Sequence, residues 1–156
     1  MFRLGVLIAL VTVALDQATK WLVLEYLAPL GQAIAITPFF NLVMVWNRGV
    51  SFGMFGSSGP LAPWILSGLA IAVVVALVVW LRRADHYLTG IGLGLVIGGA
   101  TGNVIDRIQH GAVVDFLDFH VAGWHWPAFN VADSAICVGA AFLVADSLFA
   151  PRRQYT

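Results

Sequence analysis

Charge is what this sequence has least of. Only 10% of its 156 residues are Asp, Glu, Lys or Arg, against 60% hydrophobic. A soluble domain carries about a quarter charged residues, because polar groups must cover its surface. A water-exposed globule is therefore excluded, and so is a disordered chain, whose signature is low hydrophobicity. Eight basic residues balance eight acidic ones, so no net field attracts nucleic acid and no nucleic-acid partner is expected. Cysteine is nearly missing as well. Cys137, alone in the chain, can close neither an intramolecular disulfide nor a CxxC metal or redox site. The histidines lack HxxxH-type spacing, so neither a metal nor another cofactor is expected.

What the chain has in quantity is apolar runs. A spanning helix needs about 20 such residues, because the hydrocarbon layer is about 30 Å thick and each residue rises about 1.5 Å. Stretches 61–81 and 88–105 qualify almost uninterrupted. Stretch 4–24 qualifies despite Asp16 and Lys20, and 131–150 despite Asp133 and Asp146. The expected fold is an all-α membrane protein with four transmembrane helices, one integral membrane domain over residues 1–156. Arg3, Arg82, Arg83, Arg152 and Arg153 flank one side of such a bundle, and Lys20, Arg48 and Arg107 the other. The basic excess places both termini in the cytoplasm. A cleaved leader over 1–18 is the weaker reading, since Asp16-Gln17 stands where a small-x-small site belongs.

Two segments remain on the outer side. Segment 28–60 is rich in β-branched and aromatic residues and punctuated by Pro29, Pro38, Gly49 and Gly53. It reads as a small β-rich segment lying at the interface. Loop 109–130 holds His110, His120, His125 and the Trp124-His125-Trp126 cluster. Indoles favour the headgroup layer, so this loop is expected there too.

A charge inside the bilayer is disfavoured by about 2.5–3.5 kcal/mol on insertion scales, which makes each one a candidate functional residue. With alternating span directions, Asp16 and Lys20, then Asn103, Asp106 and Arg107, then Asp115, then Asn130 and Asp133 all arrive at one level of the membrane. Several have plain structural explanations. Asp16 and Lys20, four apart on one helix face, can neutralise each other. Asp106–Arg107 can be a charge group closing a helix, and Asn130 a helix N-cap. Asp118 is expected to face water, and Asp146 to be solvated near Arg152 and Arg153. If 113–119 is extended, Asp115 and Asp118 point to opposite faces and only one can enter a site.

Asp115 and Asp133 resist such explanations, because each carboxyl stands in an apolar setting. Two carboxyls in one desolvated site share a proton, and one pKa rises. The ionised partner can activate water while the protonated one polarises an amide carbonyl, which is metal-free peptide cleavage. Asp115 is expected to hold the proton at rest, because Asp133 lies in a first helical turn, where the dipole favours negative charge. A small proton- or ion-coupled transporter is the alternative class, but a relay would spread its acids through the membrane depth.

Five ordered motifs then match a known family. They are Asp16-Gln17-Ala18-Thr19-Lys20; Asn47-Arg48-Gly49-Val50-Ser51-Phe52-Gly53; Gly98 to Asn103 with Asp106-Arg107; Val113-Val114-Asp115-Phe116; and Phe129 to Ser134. Together they resemble lipoprotein signal peptidase, or signal peptidase II, a bacterial membrane aspartic peptidase. Ser51 stands where Ala is more usual. The resemblance implies that Asp115 and Asp133 are catalytic, and that Asn47, Asn103, Arg107 and Asn130 line the site. Asp106, Asp16 and Lys20 are expected to support it. It further implies a prolipoprotein substrate cut just before a diacylglyceryl-modified cysteine, at the outer face of the bacterial inner membrane. Membrane lipids and a globomycin-type inhibitor are the other expected ligands, and a monomer the expected state.

Overall fold

The computed structural model describes residues 1–49 and 61–149. Four helices carry most of it: α1 (Phe2–Leu22), α2 (Ala62–Arg83), α3 (Tyr87–His110) and α4 (Val131–Phe149). All four are long and apolar enough to cross a membrane. The sequence motif around Asn47 runs on through Phe52 and Gly53, which lie outside the described residues, as do Arg152 and Arg153.

Helix α3 is the centre of the bundle, and glycine makes it so. Gly94 and Gly98 face α1, where an added Cβ would lie 2.6 Å from the Gly5 carbonyl oxygen and 2.6 Å from Thr12 Cβ. Gly92 faces α4, where a Cβ would lie 2.8 Å from the Gly139 carbonyl oxygen. The small residues therefore let backbones touch rather than opening a groove. Leu81 of α2 fills the remaining side, joining Ala9, Leu93 and Ile97 in one buried cluster. Helix α2 buries only Ser67 and Leu81. Its other faces carry Ile65, Leu69 and Val75 outward, as a helix bathed in lipid should.

Helix α1 does not stop at Leu22. A π-helical turn (Val23–Leu27) and a 3₁₀ turn (Ala28–Leu30) extend it until Gly31, at φ 62°, ends the run. Helix α3 also reaches five residues beyond the expected 105, to a left-handed Gly111 that closes the terminus.

An antiparallel sheet caps this end of the bundle. Its strands are β1 (Ile34–Thr37), β2 (Phe40–Asn47), β3 (Val113–Val121) and β4 (Trp124–His125), in the order β1-β2-β3-β4. The sequence places strands in 28–60 and weighs an extended 113–119 only as a condition; half the sheet comes from this second segment. Ala122 and Gly123, both at positive φ, make the tight β3–β4 turn. Alanine there gives no sequence signal for such a turn. Val114 and Phe116 of β3 pack beneath the sheet on Val23 and Leu27 of the extended α1.

One irregularity in the sheet matters most. Leu42 pairs with Leu117, but Val45 pairs with Asp115, so β2 carries one extra residue between them. Residues directly opposite in an antiparallel pair share a face. The bulge therefore turns the remainder of β2 over, and Asn47 shares the face of Asp115.

Candidate active site

Helix α4 begins with backbone N–H groups that have no helical acceptor. Asn130 caps it: its Oδ1 accepts from Asp133 N at 2.9 Å, while Asp133 Oδ2 accepts from Asn130 N at 3.2 Å. This is a reciprocal capping box with Asp at its third helical position. Between them, Ala132 N donates to Asp16 Oδ1 of α1 at 3.0 Å. The capping role accounts for only one end of the Asn130 amide. Its Nδ2 donates to Asp115 Oδ1 at 2.7 Å, with Asn103 Oδ1 at 3.2 Å and Val114 O at 3.3 Å also within reach. One fully buried amide thus binds both aspartates.

The other oxygen of Asp115 is held in the same manner. Asn47 Nδ2 donates to Asp115 Oδ2 at 2.8 Å, and Asn47 Oδ1 accepts from Gly49 N at 2.9 Å. Because each amide oxygen already accepts a backbone N–H, both NH₂ groups must face the carboxylate. Asp115 is 1% exposed. Burial pushes its pKa up to about 6; the bond from Asn47 opposes this, the charge of Asp133 adds to it, and the bond from Asn130 opposes it again. Asp133 is half-buried and more open to an arriving molecule. Its Oδ1 accepts from Asn103 Nδ2 at 2.8 Å.

Behind this pair stands a second layer. Lys20 does not simply neutralise Asp16. Its Nζ lies 2.9 Å from Asp16 Oδ2, 2.8 Å from Asp106 Oδ2 and 3.0 Å from Asn103 Oδ1. Asp106 is more than a helix-end charge, since its Oδ2 also accepts from Val114 N at 3.0 Å. Gln17, which the sequence offered only as part of a motif, donates to Asp106 Oδ1 at 2.9 Å and Asp16 Oδ2 at 3.2 Å. A side chain at Gly102 would collide with the Asp16 carboxylate. Arg107 donates to its own helix at Asn103 O over 3.3 Å. Its Nε is buried with no hydrogen-bond partner among the described residues.

The structure thus gathers Asp115, Asp133, Asn47, Asn103, Asn130, Asp106, Asp16 and Lys20 into one hydrogen-bonded cluster, with Arg107 at its edge. Asp118 is left out, on the opposite face of β3 as alternation requires. It is not in water, however, being 7% exposed. Burial opposes its ionisation, but contacts with His125 Nδ1 at 2.8 Å and Asn41 Nδ2 at 2.8 Å hold its carboxyl below the ordinary range. Asp146 likewise finds partners in Thr89 and His86 at the other end of the bundle. Among the described residues, no three His, Cys, Asp or Glu side chains are grouped to hold a metal.

Comparison with known proteins agrees with this arrangement. The family described as signal peptidase (SPase) II matches residues 8–149. A lipoprotein signal peptidase of Methylorubrum extorquens is 47% identical, covering 99% of this chain and 92% of its own. One from Burkholderia mallei is 48% identical, covering 90% and 85%. Two bacterial membrane enzyme structures solved by the in meso method superpose with TM-scores of 0.78 and 0.75, each at 28% identity and covering 94% or more of both chains. The family match takes in the capping sheet, the motifs and all four helices apart from the start of α1, and the chain belongs to the signal peptidase II family.

Proposed function

We infer that this chain is an aspartic endopeptidase of the bacterial inner membrane that removes signal peptides from diacylglyceryl-modified prolipoproteins, cutting just before the lipidated cysteine. The observation that carries the reading is the Asn130 amide, which joins Asp115 of the sheet to Asp133 of α4. The substrate class follows from the relatives named above. The basic residues Arg3, Arg82 and Arg83 lie at the far end of the bundle from the site, which favours both termini in the cytoplasm and the site at the outer face. There a lipid-anchored chain would present its scissile bond.

The chemistry follows from the two environments. Asp115, with its pKa raised to about 6 by burial, is the member that holds a proton, and a covering substrate raises it further by excluding water. Asp133 takes a proton from water as the water oxygen attacks the amide carbon. Asp115 gives its proton to the carbonyl oxygen, forming a gem-diol. Asp133 then passes its proton to the leaving nitrogen, one diol hydroxyl returns a proton to Asp115, and the C–N bond breaks. The signal peptide leaves with a carboxyl group and the lipidated cysteine with a free amine. Arg107, with Nε unpartnered among the described residues, is the donor left for a substrate carbonyl. The acids cluster at one level rather than forming a relay across the membrane, so the transporter reading gains no support.

The test is cleavage of a lipid-modified prolipoprotein by Asp115→Asn and Asp133→Asn in the presence of a chelator. Each loses about 10²–10⁴-fold in rate, the usual worth of a positioned acid or base. Near-normal cleavage by either variant would remove that residue from the reaction.

A further inference from the structure

We propose that Lys20 is a positioning residue: by bridging Asp16 and Asp106, each of which grips the backbone N–H immediately before one of the two active-site aspartates, it fixes their mutual placement. This rests on the assignment of Asp115 and Asp133 as the reacting pair.

The geometry has a regular logic. Lys20 offers three N–H bonds, and each leads one step further to the site. Asp16 passes the connection to Ala132 N at 3.0 Å, one residue before Asp133. Asp106 passes it to Val114 N at 3.0 Å, one residue before Asp115. Asn103 passes it to Asp133 Oδ1 at 2.8 Å. Neither Ala132 nor Val114 belongs to α1 or α3, the helices that a simple ion-pair staple would join. The lysine side chain is 3% exposed, and those of Asp16 and Asp106 are 0% and 3% exposed. At such burial a lone staple is replaceable by apolar packing, often without loss of stability. A bridge that sets two backbone positions is not replaceable in that way.

The titratable groups around Lys20 are Asp16 on its own helix and Asp106 on α3, both in contact with it, His110 of α3, which lines the same cavity, and Asp115 on β3, which its charge reaches. The lysine's charge is among the influences that favour ionisation of Asp115. Its loss therefore raises the Asp115 pKa and moves the alkaline limb of the pH–rate profile, where the proton on Asp115 is lost, to higher pH.

The experiment uses the full chain in lipid nanodiscs with a lipid-modified prolipoprotein. Lys20→Met leaves two unpaired acids and can fail to fold. A second variant, Asp16→Asn/Lys20→Met/Asp106→Asn, removes that burden while keeping an acceptor for each backbone N–H. In the triple variant, and in Lys20→Met if it folds, kcat per folded molecule falls about 100-fold, as for displacement of a catalytic group by about 1 Å. KM stays within about threefold, as expected when only transition-state interactions are lost. The alkaline limb of Lys20→Met moves to higher pH. A folded triple variant with wild-type kcat, or a folded Lys20→Met with an unmoved alkaline limb, overturns the proposal. Asp115→Asn and Asp133→Asn, assayed beside them, separate the two failures: if those cleave normally, the assignment of the site falls and this proposal with it. If they are inactive while the Lys20 variants cleave normally, only this proposal falls.

Discussion

At the scale of single residues, the polarity of two asparagine amides decides what Asp115 can do. Asn47 and Asn130 both present NH₂ groups to it, so they favour its charged form against the burial that raises its pKa to about 6. Asn47→Ala removes one such donor. The alkaline limb of the pH–rate profile, where Asp115 loses its proton, is then expected to move up by about one pH unit, the worth of a hydrogen bond to a charged group. An unchanged limb would show that Asn47 does not act on this carboxyl. The same raised pKa links stability to pH. The folded protein binds a proton at Asp115 more tightly than the unfolded chain, so its contribution is complete below 3.8 and is lost as pH rises through about 6. Thermal unfolding in nanodiscs should show wild-type stability falling across that window, with a flatter profile for Asp115→Asn. Much of this site was legible in the sequence, because polar residues in apolar runs are conspicuous. The contact of Lys20 with Asp106 was not: the two stand 86 positions apart, and only the Asp16 partner, one helical turn away, is visible locally.

At the scale of elements, the bulge in β2 does what no residue choice alone could. It brings Asn47 to the Asp115 face by inserting one residue between Leu42 and Val45. Inserting one residue between Val45 and Trp46 shifts Asn47 one position along β3 and turns it to the other side. The insertion is expected to lower kcat at least as much as Asn47→Ala, with the helical content by circular dichroism preserved. Normal kcat in the insertion variant would mean that the register after the bulge does not matter to the site. The helices were readable because apolar length is a strong signal, whereas the β3–β4 half of the sheet was not. Strand β3 carries Asp115 and Asp118 on opposite faces, both buried, so its alternation of apolar and polar residues is broken. Its partner β4 is only two residues long. Helix α3 is the element least tolerant of added volume. Gly98→Leu forces α1 away from it and is expected to cost about 1–3 kcal/mol through overpacking, measured as lost thermal stability.

At the scale of the whole molecule, the hydrogen-bonded cluster around Asp115 and Asp133 lies at one end of a bundle whose other end carries Arg3, Arg82 and Arg83. Orientation can be tested by labelling single cysteines, after replacing the exposed native Cys137 with serine. An impermeant maleimide applied to intact spheroplasts is expected to label Gly123→Cys, and to label Arg83→Cys only after the membrane is opened. The reverse pattern would invert the topology and move the site to the cytoplasmic face.

Asn130 ties these scales together, because one side chain both starts α4 and binds Asp115. A drug that makes its essential contacts to this amide would leave resistance little room. An escape mutation at Asn130 that blunts the inhibitor would at once remove the cap of α4 and the donor to Asp115.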